Sequence, residues 1–276
     1  MSPNKRTGRK RDYVGVLSSV FAIVIGLLVG FVILLICNPS QALPGFVTIL
    51  TGAFTHGLKG VGQVFYYATP IILTGLSVGF AFKTGLFNIG TPGQFIVGAF
   101  AAVYVGIMWT GLGRIQWAVA LLAAILGGAL WGMVPGVLKA CFNVNEVIAS
   151  IMMNYIGMYM VNWIVKSYKP LFNNLRNESR NVAATAQIPK MGMDKLFPES
   201  SVGGGILLAV AAVLLIWVIL NKTTFGYELK AVGFNRDAGR YAGINEKRNI
   251  IMSMVIAGAI AGMAGGLLYL AGTGKH

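Results

Sequence analysis

One amide side chain, Asn154, lies in the middle of a long apolar run, where a polar group most needs a partner. An unpaired amide inside a membrane or a protein core is costly, so it must face a neighbouring helix or water. Ser150 lies four residues earlier and therefore on the same face of a helix. Two interpretations stay open: Asn154 forms hydrogen bonds between helices, or it lines a polar path through the protein.

Side chains that could catalyse a reaction are scarce. The histidines are His56 and His276, the sequence contains no H-E-x-x-H zinc motif, and no Ser–His–Asp set can be assembled inside the apolar runs. No ionisable residue lies deep in an apolar run, and Glu146 stands at the edge of one. The sequence therefore predicts that the chain is not an enzyme and has no metal site or cofactor. It also disfavours a proton- or sodium-coupled carrier.

The composition indicates a membrane protein. Hydrophobic residues make up 56% of the 276 residues and charged residues 11%, against about 45–50% and 25% in soluble domains. The net charge of +14 would suggest nucleic-acid binding in a soluble protein. Cytoplasmic loops of membrane proteins also collect Lys and Arg, so we expect a lipid bilayer and no nucleic acid as partner. The predicted fold class is an all-α, polytopic membrane protein.

Seven apolar runs are long enough to cross a bilayer as helices, which takes about 20 residues each. They cover residues 14–37, 64–82, 95–113, 117–138, 147–165, 203–220 and 250–271. The predicted organisation is a basic N-terminal segment (1–13), a transmembrane domain (14–271) and a short C-terminal end (272–276). Residues 166–202 and 221–249 form its two long connecting loops.

The distribution of Lys and Arg predicts the orientation. Counted over alternate loops, thirteen lie on the side of the N-terminus and nine on the other side. Loops rich in Lys and Arg stay in the cytoplasm. We therefore expect a multi-pass protein of the cell membrane with its N-terminus and loop 221–249 in the cytoplasm, and with loop 166–202 outside.

Two of the predicted spans carry small residues at intervals of four. These are Gly128, Gly132 and Gly136 in the fourth span and Gly258, Gly262 and Gly266 in the seventh. Such ridges allow membrane helices to approach closely. We expect the two ridges to pack within the chain, although an interface between subunits is the alternative.

The connection KTGLFNIGTPGQ, residues 83–94, has an ambiguous pattern. Its glycines, proline and asparagine are typical of a tight cytoplasmic turn. Its apolar residues Leu86, Phe87 and Ile89 equally fit non-helical chain that dips into the membrane. Such chain is tolerated where it lines a cavity or is buried in protein. Both interpretations stay open.

Loop 221–249 contains the signals of a short helix at 236–242. Asn235 is a favourable N-cap, Asp237 lies in the first turn where the helix dipole favours an anion, and Gly243 suits the position after the helix. Small residues such as Ala238 make this helix thin enough to dock in the groove of a partner. A solvated connecting helix is the alternative.

Three blocks of sequence resemble the permease subunits of bacterial ABC importers in the branched-chain amino acid, simple-sugar and nucleoside group. They are GLFNIGTPGQFIVGAF (85–100), NVNEVIASIMMNYIG (143–157) and residues 223–266, which begin TTFGYELKAVGFN. The patterns T-x-F-G and A-V-G-x-N are typical of the cytoplasmic coupling loop of that family. The stretch NEVIASIMMNYI is most similar to the nucleoside branch.

The resemblance implies partners and roles. Two permease subunits, of the same or different chains, would form the pore; a separate ATPase subunit would bind the coupling loop; an extracytoplasmic binding protein would deliver a small-molecule substrate. The resemblance implies ATPase coupling for Phe225, Gly226, Glu228, Ala231, Gly233, Asn235, Ala238, Ala242 and Gly243. It implies positions near the translocation path for Asn88, Gln94, Asn145, Glu146 and Asn154.

We therefore expect a permease subunit of a nucleoside importer. A simple-sugar permease of the ribose or galactose type is the alternative within the family, and an ATP-independent channel or secondary carrier is the alternative from another class. Members of the family usually continue with further helices after the small-residue span. The resemblance thus also implies that C-terminal helices of the family are missing from this chain.

Overall fold

The computed structural model describes residues 13–272. Residues 1–12, which hold the predicted basic segment, and residues 273–276 lie outside the described residues. Within the described range the chain is mostly helical with very short strands, and seven helices are long and apolar enough to cross a membrane. The predicted all-α, polytopic membrane fold is confirmed.

The described residues up to Gly60 form one compact unit. It contains α1 (Tyr13–Cys37) and α2 (Pro39–Thr55), which pack through the rings of Phe31 and Phe46 with centroids 4.8 Å apart. The predicted span 14–37 corresponds to α1, whereas α2 was not predicted. The prolines and glycines of α2 are typical of a connecting loop, and they dilute its apolar pattern below that of a membrane span.

Residues from Val61 onward form a second compact unit. The helices that follow α2 are α3 (Gly57–Phe82), α4 (Thr91–Met108), α5 (Gln116–Phe142), α6 (Glu146–Ser167), α7 (Met193–Leu196), α8 (Gly205–Lys222), α9 (Thr224–Phe234), α10 (Arg236–Tyr241) and α11 (Glu246–Tyr269). Two short antiparallel strands, β1 (Phe172–Asn173) and β2 (Glu178–Ser179), lie in the loop after α6.

The third predicted span, 95–113, differs from the helix that the structure contains. Helix α4 begins at Thr91, because Pro92 is well tolerated in a first turn, where its missing N–H group has no partner to lose. It ends at Met108, and a 3-10 turn follows in which Gly113 adopts a left-handed φ of +57°. The span is therefore shifted toward the N-terminus, and the connection to α5 is not part of it.

Helix α11 is the most buried of the predicted spans and packs against α4 and α5. At its crossing with α5 the two backbones touch. A Cβ atom added at Gly128 would overlap the carbonyl oxygen of Gly258, and one added at Gly262 would overlap the carbonyl oxygen of Ala124. The expected packing of the two glycine ridges within the chain is confirmed.

The loop after α6 covers one end of this three-helix core. The amide of Gln116, at the start of α5, is buried. Its Nε2 donates to the carbonyl oxygens of Val105 and Gly106 over 3.2 and 3.1 Å, and its Oε1 accepts from the hydroxyl of Thr185 in the loop. The ends of α4 and α5 are therefore fixed to the loop through one amide side chain.

Substitution of the crossing glycines should destabilise the protein. In Gly128→Ala and Gly262→Ala the new methyl group has no room, and overpacking of this kind costs about 1–3 kcal/mol. The midpoint of thermal unfolding of the purified protein in detergent should therefore fall in both variants.

Gly75→Ala and Gly79→Ala are matched controls in α3, since an added Cβ meets nothing within 4 Å at either position. Both should unfold at or above the temperature of the parent, because alanine favours a helix over glycine by about 1 kcal/mol. Equal midpoints for all four variants would contradict the backbone contact between α5 and α11.

Candidate functional site

Residues 83–90, which we call the re-entrant segment, fold back into the second unit between α3 and α4. Leu86 is fully buried and Asn88 is 2% exposed. Asn88 Nδ2 donates to Ser77 Oγ over 3.4 Å, and Ser77 lies five residues before the end of α3, which is about 7.5 Å along a helix. The structure shows that this connection is non-helical chain buried in protein; its position at membrane depth stays a prediction.

The side chains of Asn88 and Gln94 form a reciprocal pair. Asn88 Nδ2 donates to Gln94 Oε1 over 3.0 Å, and Gln94 Nε2 donates to Asn88 Oδ1 over 3.1 Å. The backbone N–H of Gly90 also donates to Asn88 Oδ1, over 3.1 Å. Both amides thus form hydrogen bonds with other groups of the protein, and these bonds connect the re-entrant segment to the first turn of α4.

Asn154, in the middle of α6, binds the same region from the other side. Its Oδ1 accepts from the backbone N–H of Gly93, and its Nδ2 donates to the carbonyl oxygen of Ile89, both over 2.9 Å. Gly93 lies in the first turn of α4, where backbone N–H groups have no partner within the helix. Between the two interpretations of Asn154, the structure supports hydrogen bonding to a neighbouring element.

Three buried hydroxyl groups connect the same region to α11. Ser77 Oγ donates to the carbonyl oxygen of Ala257 over 2.7 Å. Thr84 Oγ1 donates to the carbonyl oxygen of Ala81 over 2.7 Å, so the hydrogen bond between Thr84 and Ser253 is donated by Ser253. Neither Thr84 nor Ser253 was predicted from the sequence, because single hydroxyl residues are common in membrane proteins and carry no distinctive pattern.

Asn145 and Glu146 lie apart from this cluster, at the start of α6. Asn145 caps the helix, its Oδ1 accepting from the backbone N–H of Val147 over 2.9 Å. Glu146 forms an ion pair with Lys139 of α5, with 2.8 Å between Oε2 and Nζ. Asn154 is eight residues further along α6, about 12 Å by helical rise. The five residues expected near the path therefore fall into two separate groups.

Loop 221–249 contains two helices. The predicted helix at 236–242 is confirmed as α10, with the side chain of Asn235 accepting from the backbone N–H of Ala238 over 3.1 Å. Helix α9 precedes it and was missed by the sequence analysis. Thr223 caps α9 by accepting from the backbone N–H of Gly226 over 3.1 Å, a signal that the sequence did contain.

The residues expected to couple to the ATPase divide between the two faces of α9 and α10. Gly226 is buried, and Phe225, Glu228, Ala231 and Gly233 are half-buried. Asn235, Ala238, Ala242 and Gly243 are exposed. Three aromatic side chains that the sequence analysis did not single out are more exposed than most of the chain: Tyr227 (72%), Phe234 (91%) and Tyr241 (94%).

Inward-facing groups hold α9 and α10 to the rest of the second unit. Asn249 Nδ2 of α11 donates to Glu228 Oε2 over 3.1 Å. Gly239 is buried, and a Cβ there would lie 3.5 Å from Val232 Cγ2. Gly239 of α10 therefore packs against α9, whereas its neighbour Ala238 is exposed.

Helix α9 also contacts the re-entrant segment directly. A Cβ added at Gly233 would overlap the carbonyl oxygen of Lys83, and one added at Gly85 would lie 3.1 Å from the carbonyl oxygen of Gly233. Next to this contact, Leu86 and Val232 belong to one buried apolar cluster that also contains residues of α11. The end of α9 and the re-entrant segment thus pack as one body.

Comparison with known proteins relates the chain to transport permeases. The family described as branched-chain amino acid transport system, permease component, matches residues 60–276. The chain is 41% identical to the guanosine ABC transporter permease protein NupP of Bacillus subtilis, over 90% of this chain and 70% of the relative. No solved structure matches the chain.

Two further relatives carry names of transporters. The nucleoside ABC transporter permease protein NupB of Lactococcus lactis is 36% identical over 92% of this chain and 70% of its own length. The glucose ABC transporter permease protein TsgB13 of Haloferax volcanii is 32% identical over 83% of this chain and 60% of its own length. Similarity to these relatives thus extends over most of the described chain.

Asn154→Leu should destabilise the protein. The substitution leaves the N–H of Gly93 and the carbonyl of Ile89 without their partner, and an unsatisfied buried polar group costs about 1–3 kcal/mol. The midpoint of thermal unfolding should fall, and less folded protein should be recovered from membranes.

Asn162→Leu is the matched control, because Asn162 is an exposed amide on the same helix. It should leave the unfolding midpoint close to that of the parent. If Asn154→Leu and Asn162→Leu unfolded at the same temperature, the proposed support of the re-entrant segment by Asn154 would be wrong.

Proposed function

The chain belongs to the family of branched-chain amino acid transport system permease components, and from this membership we propose that it forms half of the pore of an ABC importer for nucleosides. The observation that carries the proposal is its identity of 41% and 36% to permeases named for guanosine and nucleosides. The family consists of transport permeases, so ATP hydrolysis is assigned to a separate subunit.

A second candidate substrate class is a simple sugar. The relative named for glucose is 32% identical to this chain, lower than the two relatives named for nucleosides. A channel or carrier that works without ATP is disfavoured, because the relatives are named as ABC transporter permeases. Uptake measured with and without an ATPase subunit distinguishes an ABC importer from an ATP-independent channel or carrier. Competition between guanosine and glucose for uptake distinguishes the two substrate classes.

The proposed assembly contains a second permease subunit, ATPase subunits and an extracytoplasmic binding protein that delivers the substrate. The excess of Lys and Arg supports an orientation with the N-terminus in the cytoplasm. This orientation puts α9 and α10 on the cytoplasmic side, where an ATPase subunit can reach them. The loop between α6 and α8 then faces the binding protein.

We assign the contact with the ATPase to the exposed face of α9 and α10. This face carries Tyr227, Phe234 and Tyr241, and large aromatic side chains contribute much of the binding energy in protein interfaces. Loop 221–249 holds six Lys and Arg against three Asp and Glu. Its partner surface should therefore combine apolar pockets with acidic groups at the rim.

The inward face of the same helices suits transmission of motion. Gly226 packs against the carbonyl oxygens at the end of α8, Glu228 is bonded to α11, and Gly233 packs against the re-entrant segment. The proposed coupling residues thus serve two purposes: exposed residues such as Ala238 and Ala242 contact the ATPase, and buried residues connect it to the membrane helices.

Guanosine uptake tests the function and the coupling surface together. Proteoliposomes that contain the permease, an ATPase subunit and a binding protein should take up guanosine only when ATP is supplied. Phe234→Ala and Tyr241→Ala should each weaken co-purification with the ATPase about tenfold or more, because truncation of an interface anchor costs about 2 kcal/mol. Both should lower uptake in proportion.

Tyr159→Ala is the matched control, since Tyr159 is 65% exposed and lies within α6, outside loop 221–249. It should leave co-purification and uptake unchanged. Guanosine uptake that does not depend on ATP would overturn the proposed function. Normal binding of the ATPase by both Phe234→Ala and Tyr241→Ala would overturn only the coupling surface.

A further inference from the structure

An open cleft of about 460 Å³ lies where α3, the re-entrant segment and α4 meet. Its volume is in the range of small-molecule sites, roughly 300–1,000 Å³. Five apolar residues supply most of its wall: Val78, Phe87, Ile89, Pro92 and Phe95. The re-entrant segment alternates as an extended chain does, with Leu86 and Asn88 buried in the protein and Phe87 between them facing outward, 41% exposed.

The polar residues of the cleft point their hydrogen-bond donors into the protein. Thr74 Oγ1 donates to the carbonyl oxygen of Pro70 over 2.9 Å, and Thr91 Oγ1 donates to that of Asn88 over 3.1 Å. Both protons of the Asn88 amide are used by Ser77 and Gln94. The described side chains that line the cleft therefore offer apolar and aromatic surface to an occupant, and their donors are engaged.

Lipid does not suit this cleft. Non-helical chain at membrane depth is tolerated only where protein buries it or where it lines a water-filled cavity. Three of the eight residues that line the cleft, Phe87, Asn88 and Ile89, belong to such chain, and Phe87 is 41% exposed in the protein. The cleft must therefore face either the aqueous path or another protein surface.

The ring of Phe87 is supported by contacts within the protein. It packs against the ring of Phe82 with centroids 5.0 Å apart. Its neighbours Leu86 and Asn88 are anchored in the apolar cluster and in the amide pair described above. An aromatic face supported in this way suits stacking with a flat ring, because less side-chain entropy is lost on binding than for an unsupported ring.

We propose that this cleft contacts the substrate inside the path and that Phe87 stacks on the nucleobase, while the ribose keeps its hydrogen bonds to water. The inference rests on the proposed function, since it takes a nucleoside as the ligand. In this proposal the aromatic side chain of Phe87 recognises the nucleobase. Asn88 and Gln94 are positioning residues, because they hold the wall of the cleft in place.

Thiol labelling tests whether guanosine occupies the cleft. Cys37 and Cys141 are both free and exposed, so the assembled transporter would carry Cys37→Ala, Cys141→Ala and Phe87→Cys. A water-soluble methanethiosulfonate reagent should modify Cys at position 87, and guanosine delivered by the binding protein should slow the modification several-fold. Leu130→Cys on α5 is the control for lipid-facing positions and should react slowly with and without guanosine.

Uptake by conservative variants tests the aromatic contact. Phe87→Tyr should transport guanosine within about twofold of the parent, whereas Phe87→Leu should lower the maximal rate about two- to tenfold, the range expected for loss of an aromatic pair. Phe142→Leu removes a ring outside the cleft that is 70% exposed, against 41% for Phe87, and should have no effect. The amount of assembled transporter in the membrane is measured for each variant.

The outcomes separate the two proposals. Absence of guanosine uptake by the parent transporter overturns the proposed function, and labelling at position 87 still reports whether the cleft faces water. If the parent transports guanosine but position 87 does not react, or reacts equally with and without guanosine, the cleft is not a substrate contact. Equal maximal rates for Phe87→Leu and Phe142→Leu overturn the stacking role of Phe87.

Discussion

Non-helical backbone at membrane depth must find its hydrogen-bond partners inside the protein, because lipid supplies none. In this chain the re-entrant segment, which is predicted to lie at membrane depth, meets that requirement with amide side chains. Asn88 and Gln94 bind each other and the segment, while Asn154 reaches the segment from α6. These bonds fix the end of α3, the start of α4 and the middle of α6 relative to one another, so the arrangement of three helices depends on them.

The same segment lies between two surfaces with different proposed roles. Its inward residue Leu86 packs with Val232 of α9, and its outward residue Phe87 forms the wall of the cleft. A movement of α9 imposed by an ATPase would therefore act on the cleft through a short, packed route. The glycines at 85 and 233 make that route possible, because a side chain at either would crowd the facing backbone.

Much of this structure follows from the sequence, and the rest depends on contacts that a linear pattern cannot show. Apolar runs, the glycine ridges and the caps of α10 are local signals, and all three predicted the structure well. Helix α9 was missed although Thr223 caps it, since the loop signals around it were stronger. The orientation of Gly239 toward Val232, and of Asn88 toward Gln94, is a tertiary property, because neither spacing nor residue type distinguishes a positioning amide from one that lines a path.

The central claim is that α9 and the re-entrant segment move as one body. Lys83 and Lys230 line the same small cavity at their junction, so Lys83→Cys and Lys230→Cys can be joined by a short bifunctional thiol reagent in a chain whose two native cysteines are replaced by alanine. Guanosine uptake by the assembled transporter should persist after complete cross-linking, as verified by mass spectrometry. Loss of uptake on cross-linking, with recovery when a reducible linker is cleaved, would contradict the claim.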